Sequence, residues 1–457
     1  MGFDFMGFDI SYPGRFLQTA TAYKAKVLCS GIFVSERSPE SLLKQDLAVD
    51  GLGALQSLTS TINPKQQTVT VSCLGKFQSK ALYRPGLGST LVLASTVTAL
   101  RAQAAEFERW DKATPRQKQA LSVAAAIPPG VNAEALKEVV AEAFVENNPR
   151  QLKRTRAVVI AHKGQIIAER YAEGFSANTP MLGWSLAKSV VNALIGILVR
   201  EGKLTLQDQG LLPAWRQAGD PRGKITLDQL LRMSSGLAFS ENYASPVSDI
   251  TTMLFQRGDS AAYVAQLPLE ASPGRLFRYA SGTTVLLCRI IREAVGGTLS
   301  DYFTFPRRAL FDRLGMASAV LEPDAAGTFM GSSFMYATAR DWAKLGLLYL
   351  QDGCWQGKRI LPEGWAAYSS APSKTAAFYG AHFWRGVPNS FVAEANNRAN
   401  WPQGAYLASG YQGQFITVVP AQDLVVVRLG LSQRRHSWDH HRFMVRTTAA
   451  VGGYAVG

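Results

Sequence analysis

Ser185 and Lys188 stand three residues apart in GWSLAKSVVNALIGILVREG, residues 183–202. The stretch predicts one helix that is apolar nearly all round and therefore buried. A lysine is almost never fully buried unless it is paired or put to use. Residues at i, i+3 and i+7 share a helix face, so Ser185, Lys188, Ser189 and Asn192 make one polar stripe. Gly196 extends it as a place where another backbone can come close. This spacing suits a nucleophile and its base. A serine hydroxyl attacks poorly until a neighbouring base takes its proton. A lysine held in a medium of low dielectric has its charged form disfavoured and can be that base. The N–H groups at a helix start favour a developing oxyanion. A plainer reading is that Ser185 caps the helix and Lys188 snorkels to solvent. The S-x-x-K spacing alone does not separate the two.

Two further stretches bear on that choice. Phe277-Arg278-Tyr279-Ala280-Ser281-Gly282 follows a Ser-Pro-Gly turn and precedes an apolar helix over 283–294, so Tyr279 is placed to point into a cleft. Ser409-Gly410-Tyr411-Gln412-Gly413-Gln414 opens an apolar strand, and its glycines let a substrate lie against the strand edge.

The elements that must position these residues are legible as patterns. Residues 157–161 (AVVIA) and 165–171 predict a hairpin across Lys163-Gly164, and 415–420 with 424–429 predict a second. Helices are expected over 133–146, from Ser185, over 283–294, after the capping-box signature Thr338-Ala339-Arg340-Asp341, and from 438 to about 451. Strands near both ends of this region with helices between them imply an α+β fold: one antiparallel sheet built from both ends, flanked by helices, with an all-helical subdomain inserted. Residues 1–126 read as a separate N-terminal extension, with a hairpin of 67–74 and 79–83 and helices over 91–107 and 117–126. The break Ile127-Pro128-Pro129-Gly130 then opens a second domain over 127–457.

Bulk composition narrows the function classes. The 457 residues are 47% apolar and 18% charged, which is ordinary globular composition. The net charge of +14 is spread over short clusters (Lys153-Arg154-Thr155-Arg156, Arg307-Arg308, Arg434-Arg435-His436). It therefore predicts a solvated basic surface rather than nucleic-acid binding, and leaves peripheral contact with a membrane surface open. Cys29, Cys73, Cys288 and Cys354 form no zinc or disulfide framework, with a Cys29–Cys73 bridge the one pairing left open. No metal, nucleotide or other cofactor motif occurs. No apolar run is long enough to span a bilayer. The start, MGFDFMGFD, is a near-repeat with Asp4 and Asp9 in place of a basic, apolar export signal. The chain as it stands is expected to be cytoplasmic, or periplasmic if an export signal has been removed. Oligomeric state is not legible.

Taken together, residues 150–435 resemble the serine β-lactamase and penicillin-binding-protein superfamily, nearest to class C β-lactamases, their esterase relatives and 6-aminohexanoate-dimer hydrolases. Ser185-Leu186-Ala187-Lys188 matches S-x-x-K, Tyr279-Ala280-Ser281 matches Y-x-N or Y-x-S, and Gly410-Tyr411-Gln412-Gly413-Gln414 stands where the family has K-T-G or a glycine-rich substitute. Supporting stretches are LLRMSSGL (230–237), ENYASPVSD (241–249) and 331–353. The resemblance implies an acyl-enzyme on Ser185, Lys188 and Tyr279 as a coupled acid–base pair, and an oxyanion hole of the Ser185 and Tyr411 backbone N–H groups. It places Tyr243 as a lid residue on the substrate, and Asn192, Ser281, Gly410 and Gln412 around the substrate site. The expected substrate is a small ester or amide. Two departures, Ser409 in place of a lysine or histidine and Ser281 in place of an asparagine, point away from β-lactams toward ester and linear-amide hydrolysis. β-Lactamase, D-Ala-D-Ala carboxypeptidase and a non-catalytic binder on the same scaffold are the alternatives. An α/β-hydrolase with Gly183-Trp184-Ser185 as nucleophile elbow would need a buried strand before Ser185 and a histidine base such as His382, His436, His440 or His441; residues 176–183 are polar and contain proline.

Overall fold

Alternation in the apolar strands places their side chains on two sides of a sheet. The computed structural model describes residues 12–48, 53–392, 400–432 and 436–452. The nonapeptide near-repeat and Arg434-Arg435 lie outside them. The N-terminal region holds α1 (Tyr12–Phe33), α2 (Pro39–Gln45), strands β1 (Thr59–Asn63), β2 (Thr68–Cys73), β3 (Phe77–Arg84) and β4 (Gly88–Leu91), and α3 (Val97–Ala113). Next come α4 (Ala133–Glu142), β5 (Thr155–His162), β6 (Gln165–Tyr171), β7 (Met181–Leu182) and α5 (Leu186–Arg200). The inserted helices are α6 (Leu227–Leu231), α7 (Asp249–Phe255), α8 (Ser260–Ala265), α9 (Ser281–Ala294), α10 (Leu299–Pro306) and α11 (Asp312–Leu314). The chain returns through β8 (Val320–Leu321), β9 (Met335–Ala337), α12 (Ala339–Leu350), the ribbon β10 (Cys354–Trp355) and β11 (Lys358–Arg359), and α13 (Trp365–Ser370). It ends with β12 (Tyr406–Gly410), β13 (Gln414–Val419), β14 (Leu424–Gly430) and α14 (His440–Val451).

The central sheet has the order β12-β13-β14-β5-β6, antiparallel throughout, so strands from the two ends of the hydrolase-like region meet at β14 and β5. Ala157, Val159 and Ala161 of β5 join the core shared with α5 and α12, while Val158 and Ile160 join the core under α4 and α14. Both faces are covered, and the antiparallel sheet flanked by helices with inserted helices is the expected α+β architecture. The Thr338 hydroxyl caps α12 by accepting from the Asp341 N–H. The reciprocal half of the capping box is absent, because the Asp341 carboxylate is taken by Ser318 and Lys344.

The N-terminal region packs across its sequence boundary. Its four strands run in the order β1-β2-β3-β4, α1 lies on them, and its apolar residues belong to the same core as α5 and α12. At the seam, buried Glu322 accepts from Lys26 Nζ at 2.6 Å, from Ser30 Oγ at 2.8 Å and from the Ser89 N–H at 2.7 Å. Gly88 is required there, since a Cβ would fall 2.5 Å from the Glu322 carboxylate.

Two expectations are corrected, and the cysteine pairing left open is resolved. Residues 117–126 are not helical: the Ala124 N–H donates to the Ile166 carbonyl and the Ile166 N–H to the Ser122 carbonyl. An unpaired edge on β6 recruits this segment as an extended bridge. The helix predicted over 91–107 starts at Val97, because 88–91 completes a sheet and Thr96 supplies the cap. Cys29 and Cys73 are both free thiols.

Replacing Glu322 by Gln keeps the volume but leaves the Lys26 ammonium buried without its counter-charge. Breaking a buried pair this way costs about 3–5 kcal/mol. Urea denaturation should show a loss of that size; a change below ~1 kcal/mol would mean the seam does not hold the two regions together.

Candidate active site

The polar stripe on α5 is where the buried lysine is accounted for. Lys188 is 1% exposed. Its Nζ donates to Ser185 Oγ at 2.9 Å, to Ser281 Oγ at 2.9 Å and to the Ser332 carbonyl at 3.0 Å. The reading in which it snorkels to solvent is thereby excluded. Ser185 occupies the cap position of α5, yet its side chain makes no capping hydrogen bond; the hydroxyl is partly exposed and faces the lysine. Burial lowers the Lys188 pKa to about 8, with the Glu241 carboxylate acting in the opposite direction.

Tyr279 closes the group. Lys188 Nζ lies 4.9 Å from the centroid of its ring. Burial holds the phenol above its usual 10, Glu241 adds to that, and a hydrogen-bond interaction with Ser185 opposes it. Ser185, Lys188 and Tyr279 therefore lie together.

The late strand meets the nucleophile turn through backbone. A Cβ on Gly410 would fall 2.3 Å from the Gly183 carbonyl oxygen, so only glycine allows this approach. It brings the β12–β13 turn beside Ser185. Among the described residues, neither the Ser185 nor the Tyr411 N–H is used by another backbone carbonyl. Trp184, just before Ser185, is held at φ +48°, a left-handed conformation that a bulky residue rarely adopts. Its indole N–H donates to Gln412 Oε1 at 3.1 Å. A line of rings runs from α1 to the lid loop: Tyr23 to Phe255 (5.5 Å between centroids), Phe255 to Phe334 (6.2 Å), Phe334 to Trp184 (5.9 Å), Trp184 to Tyr411 (5.4 Å) and Tyr411 to Tyr243 (5.1 Å, stacked).

Several expected substrate contacts have other work. Asn192 is fully buried one turn beyond Lys188. Its Oδ1 accepts from Tyr349 Oη, Trp365 Nε1 and Ser369 Oγ, and its Nδ2 donates to the Ala381 carbonyl. It is a core anchor, with no polar atom left for a substrate. Gly196 faces the Trp365 indole rather than another backbone. Ser281 is fully buried and links Lys188 to Glu241, donating to Oε1 through its hydroxyl at 2.5 Å and to Oε2 through its N–H at 2.8 Å. Gln412 is 4% exposed and spends its carbonyl on Trp184. Ser281 and Gln412 thus position the site from behind. Tyr243 and Tyr411 reach its mouth.

Glu241 is the residue that the motifs missed. It lies in the ENYASPVSD stretch, two residues before Tyr243, and burial raises its carboxyl pKa while Lys188 lowers it. A carboxylate in a loop before an aromatic carries no periodic signal, and its contacts with Ser281 and with the Tyr243 hydroxyl reveal it. No histidine reaches Ser185 Oγ. His382 Nδ1 pairs with the Lys188 carbonyl at 2.8 Å and Nε2 with Thr284 Oγ1 at 3.2 Å, and burial lowers its pKa to about 3. His440 stacks on Phe415 and pairs with Thr417. A short strand, β7, does precede Ser185, although residues 176–183 are polar and contain proline; the nucleophile-elbow reading fails instead on its base, since Ser185 Oγ is bonded to Lys188. Among the described residues no cluster of metal-ligating side chains occurs, and no helix is long and apolar enough to cross a membrane.

Comparison with known proteins agrees with this geometry. A family model described as Beta-lactamase matches residues 142–447, and the chain belongs to that family; it is a β-lactamase-like serine hydrolase. A 6-aminohexanoate-dimer hydrolase of Paenarthrobacter ureafaciens is 25% identical over 293 residues, covering 60% of this chain and 72% of the relative. A penicillin-binding-protein homologue from Caulobacter crescentus superposes with a TM-score of 0.54 at 17% identity, covering 72% of this chain and 98% of the other. A family VIII carboxylesterase superposes with a TM-score of 0.53 at 14% identity, with the same two coverages, 72% and 98%. These structural likenesses establish the fold.

Glu241→Gln keeps an acceptor for Ser281 but removes the charge that favours the Lys188 ammonium. The pH dependence of Ser185 labelling by a fluorophosphonate should therefore move to lower pH. An unmoved profile would show that Glu241 does not act on the lysine.

Proposed function

We propose that the protein hydrolyses ester or linear amide bonds of small substrates through an acyl-enzyme on Ser185. The observation that carries this reading is the desolvated Lys188 amine, 2.9 Å from Ser185 Oγ with its pKa lowered to about 8. In its neutral form the amine takes the hydroxyl proton as Oγ attacks the carbonyl carbon. The developing oxyanion is received by the backbone N–H groups of Ser185 and Tyr411, donors whose individual loss typically costs about 10²–10³ in turnover. Tyr279 passes a proton to the leaving alcohol or amine, and Lys188 and Tyr279 titrate as a pair. Water then attacks the acyl-enzyme with the pair working in reverse. Tyr243, stacked on Tyr411, covers the bound carbonyl. No bound metal or cofactor is invoked in this scheme.

Ester and linear-amide substrates are favoured over β-lactams and D-Ala-D-Ala peptides because β12 offers Ser409 where a lysine or histidine would engage a substrate carboxylate. The name of the Paenarthrobacter relative supports the linear-amide branch. A panel of p-nitrophenyl esters, nitrocefin, linear 6-aminohexanoate dimer and D-Ala-D-Ala peptides decides between these classes. Activity confined to nitrocefin would overturn the preference, and a protein inert to all four and to fluorophosphonate would be a binder.

Ser185→Ala should abolish turnover, and Lys188→Ala should lower kcat/KM by about 10²–10⁴. The base must be deprotonated in the free enzyme, so kcat/KM should rise with pH up to about 8 and then level off. With the Tyr279 phenol held above its usual 10, no descending limb is expected below that value. A pH–rate profile flat within error from 6 to 9 would remove Lys188 from the role of base.

A further inference from the structure

Beside Tyr279 stands a wall of aromatic rings that the hydrolytic reading does not use. Tyr279 lies 5.4 Å from Trp384 and 6.0 Å from Tyr379, centroid to centroid. Trp384 in turn lies 4.9 Å from Tyr379 and 6.2 Å from Phe378, nearly parallel to the latter at 16°. Phe277 closes the group against Phe378 and Tyr379, at 5.2 Å from each. Tyr379 is buried, but Phe378 is 50% exposed and Trp384 is partly exposed. Single exposed apolar residues need no explanation; a contiguous aromatic surface running out from a candidate proton donor does.

The wall is held rigidly. Tyr379 and Trp384 face each other across a short hairpin. Trp384 pairs with Leu407 of β12 in both directions, each at 2.8 Å. That strand ends at Gly410, and Tyr411 follows it in the β12–β13 turn, four residues beyond Leu407. Nearby guanidinium groups are already engaged: Arg385 donates to the Ala377 carbonyl at 2.8 Å, and Arg278 pairs with Glu270 at 2.6 Å. The surface offers π faces and apolar area, with Arg278 neutralised by Glu270.

Resting on the reading of Ser185 as nucleophile and Tyr279 as proton donor, we propose that Phe378, Trp384 and Phe277 form a subsite for a neutral aromatic leaving group. Because Tyr279 must touch the oxygen it protonates, whatever leaves has to lie on the Tyr279 side of the carbonyl, against this wall. The substrate class is then an ester of an aromatic alcohol. Water and the ester yield the acid and that alcohol, the Ser185 ester forming and breaking in between. Offset and edge-to-face ring contacts favour such a group beyond its area alone.

The test is a series of butyrate esters of ethanol, benzyl alcohol and 2-naphthylmethanol, with a second series of ethyl esters in which only the acid is varied. In the wild type, kcat/KM should rise at least tenfold from ethyl to 2-naphthylmethyl butyrate, through KM. In Phe378→Ala that alcohol ratio should fall about tenfold, Phe378→Tyr should restore it, and the acid ratio should not move. A wild type indifferent to the alcohol, or a Phe378→Ala variant that changes the acid ratio instead, overturns the proposal. Binding of 2-naphthylmethanol to Ser185→Ala protein, followed by calorimetry, reads the wall without turnover. If Ser185→Ala still hydrolyses esters, the nucleophile reading fails; if it binds 2-naphthylmethanol no better than Ser185→Ala/Phe378→Ala does, the subsite fails by itself.

Discussion

One ammonium group withdrawn from water organises this site. The apolar cylinder of α5 leaves Lys188 no route to solvent, and burial of a charge is costly unless every donor is satisfied. Its donors meet Ser185 Oγ, Ser281 Oγ and the Ser332 carbonyl, and each of these comes from a different part of the chain. Desolvation pulls the amine toward neutrality while Glu241, one serine away, pulls it back. The balance falls near neutral pH, where a group can both accept a proton and release it. Without Glu241 the amine would be a weaker base; with a carboxylate in direct contact it would remain an ammonium. Ser281, interposed between the two, sets the distance. An asparagine here would change both the volume and the hydrogen bonding to Glu241.

The second constraint is backbone proximity. Gly410 and the Gly183 carbonyl meet where no side chain fits, and Trp184 is held in a left-handed conformation that costs on the order of 1–3 kcal/mol unless its surroundings impose it. They do so from three directions: Phe334 and Tyr411 against the ring, and Gln412 on the indole N–H. Ser185 itself is in the right-handed helical region rather than the extended one a capping residue adopts, so its hydroxyl makes no cap and is bonded to Lys188.

How far this was readable without coordinates follows from the kind of signal each residue leaves. Ser185, Lys188 and Tyr279 occur in local patterns whose spacing matches a chemical need, and both hairpins of the central sheet show as runs of apolar strand residues. For Asn192, helix periodicity fixes which face the side chain occupies but not what lies opposite, because its partners Tyr349 and Trp365 are more than 150 residues away. Glu241 left no local trace at all. Residues 117–126 had helical composition, yet the open edge of β6 offered hydrogen bonds that a marginal isolated helix could not match.

The N-terminal region follows from the same logic of long-range support. Its α1 meets the rest of the molecule through the buried Lys26–Glu322 pair and through Tyr23, the first ring in the line that ends at Tyr243. Aromatic contacts of this kind transmit position rather than charge: each ring fixes the next within van der Waals distance in a close-packed interior. Phe334 is the branch point, since it lies under the Lys26 ammonium at 4.6 Å as well as against Trp184. Through Phe334 the residues before the 126 boundary pack into the same core that holds Trp184, the residue before Ser185.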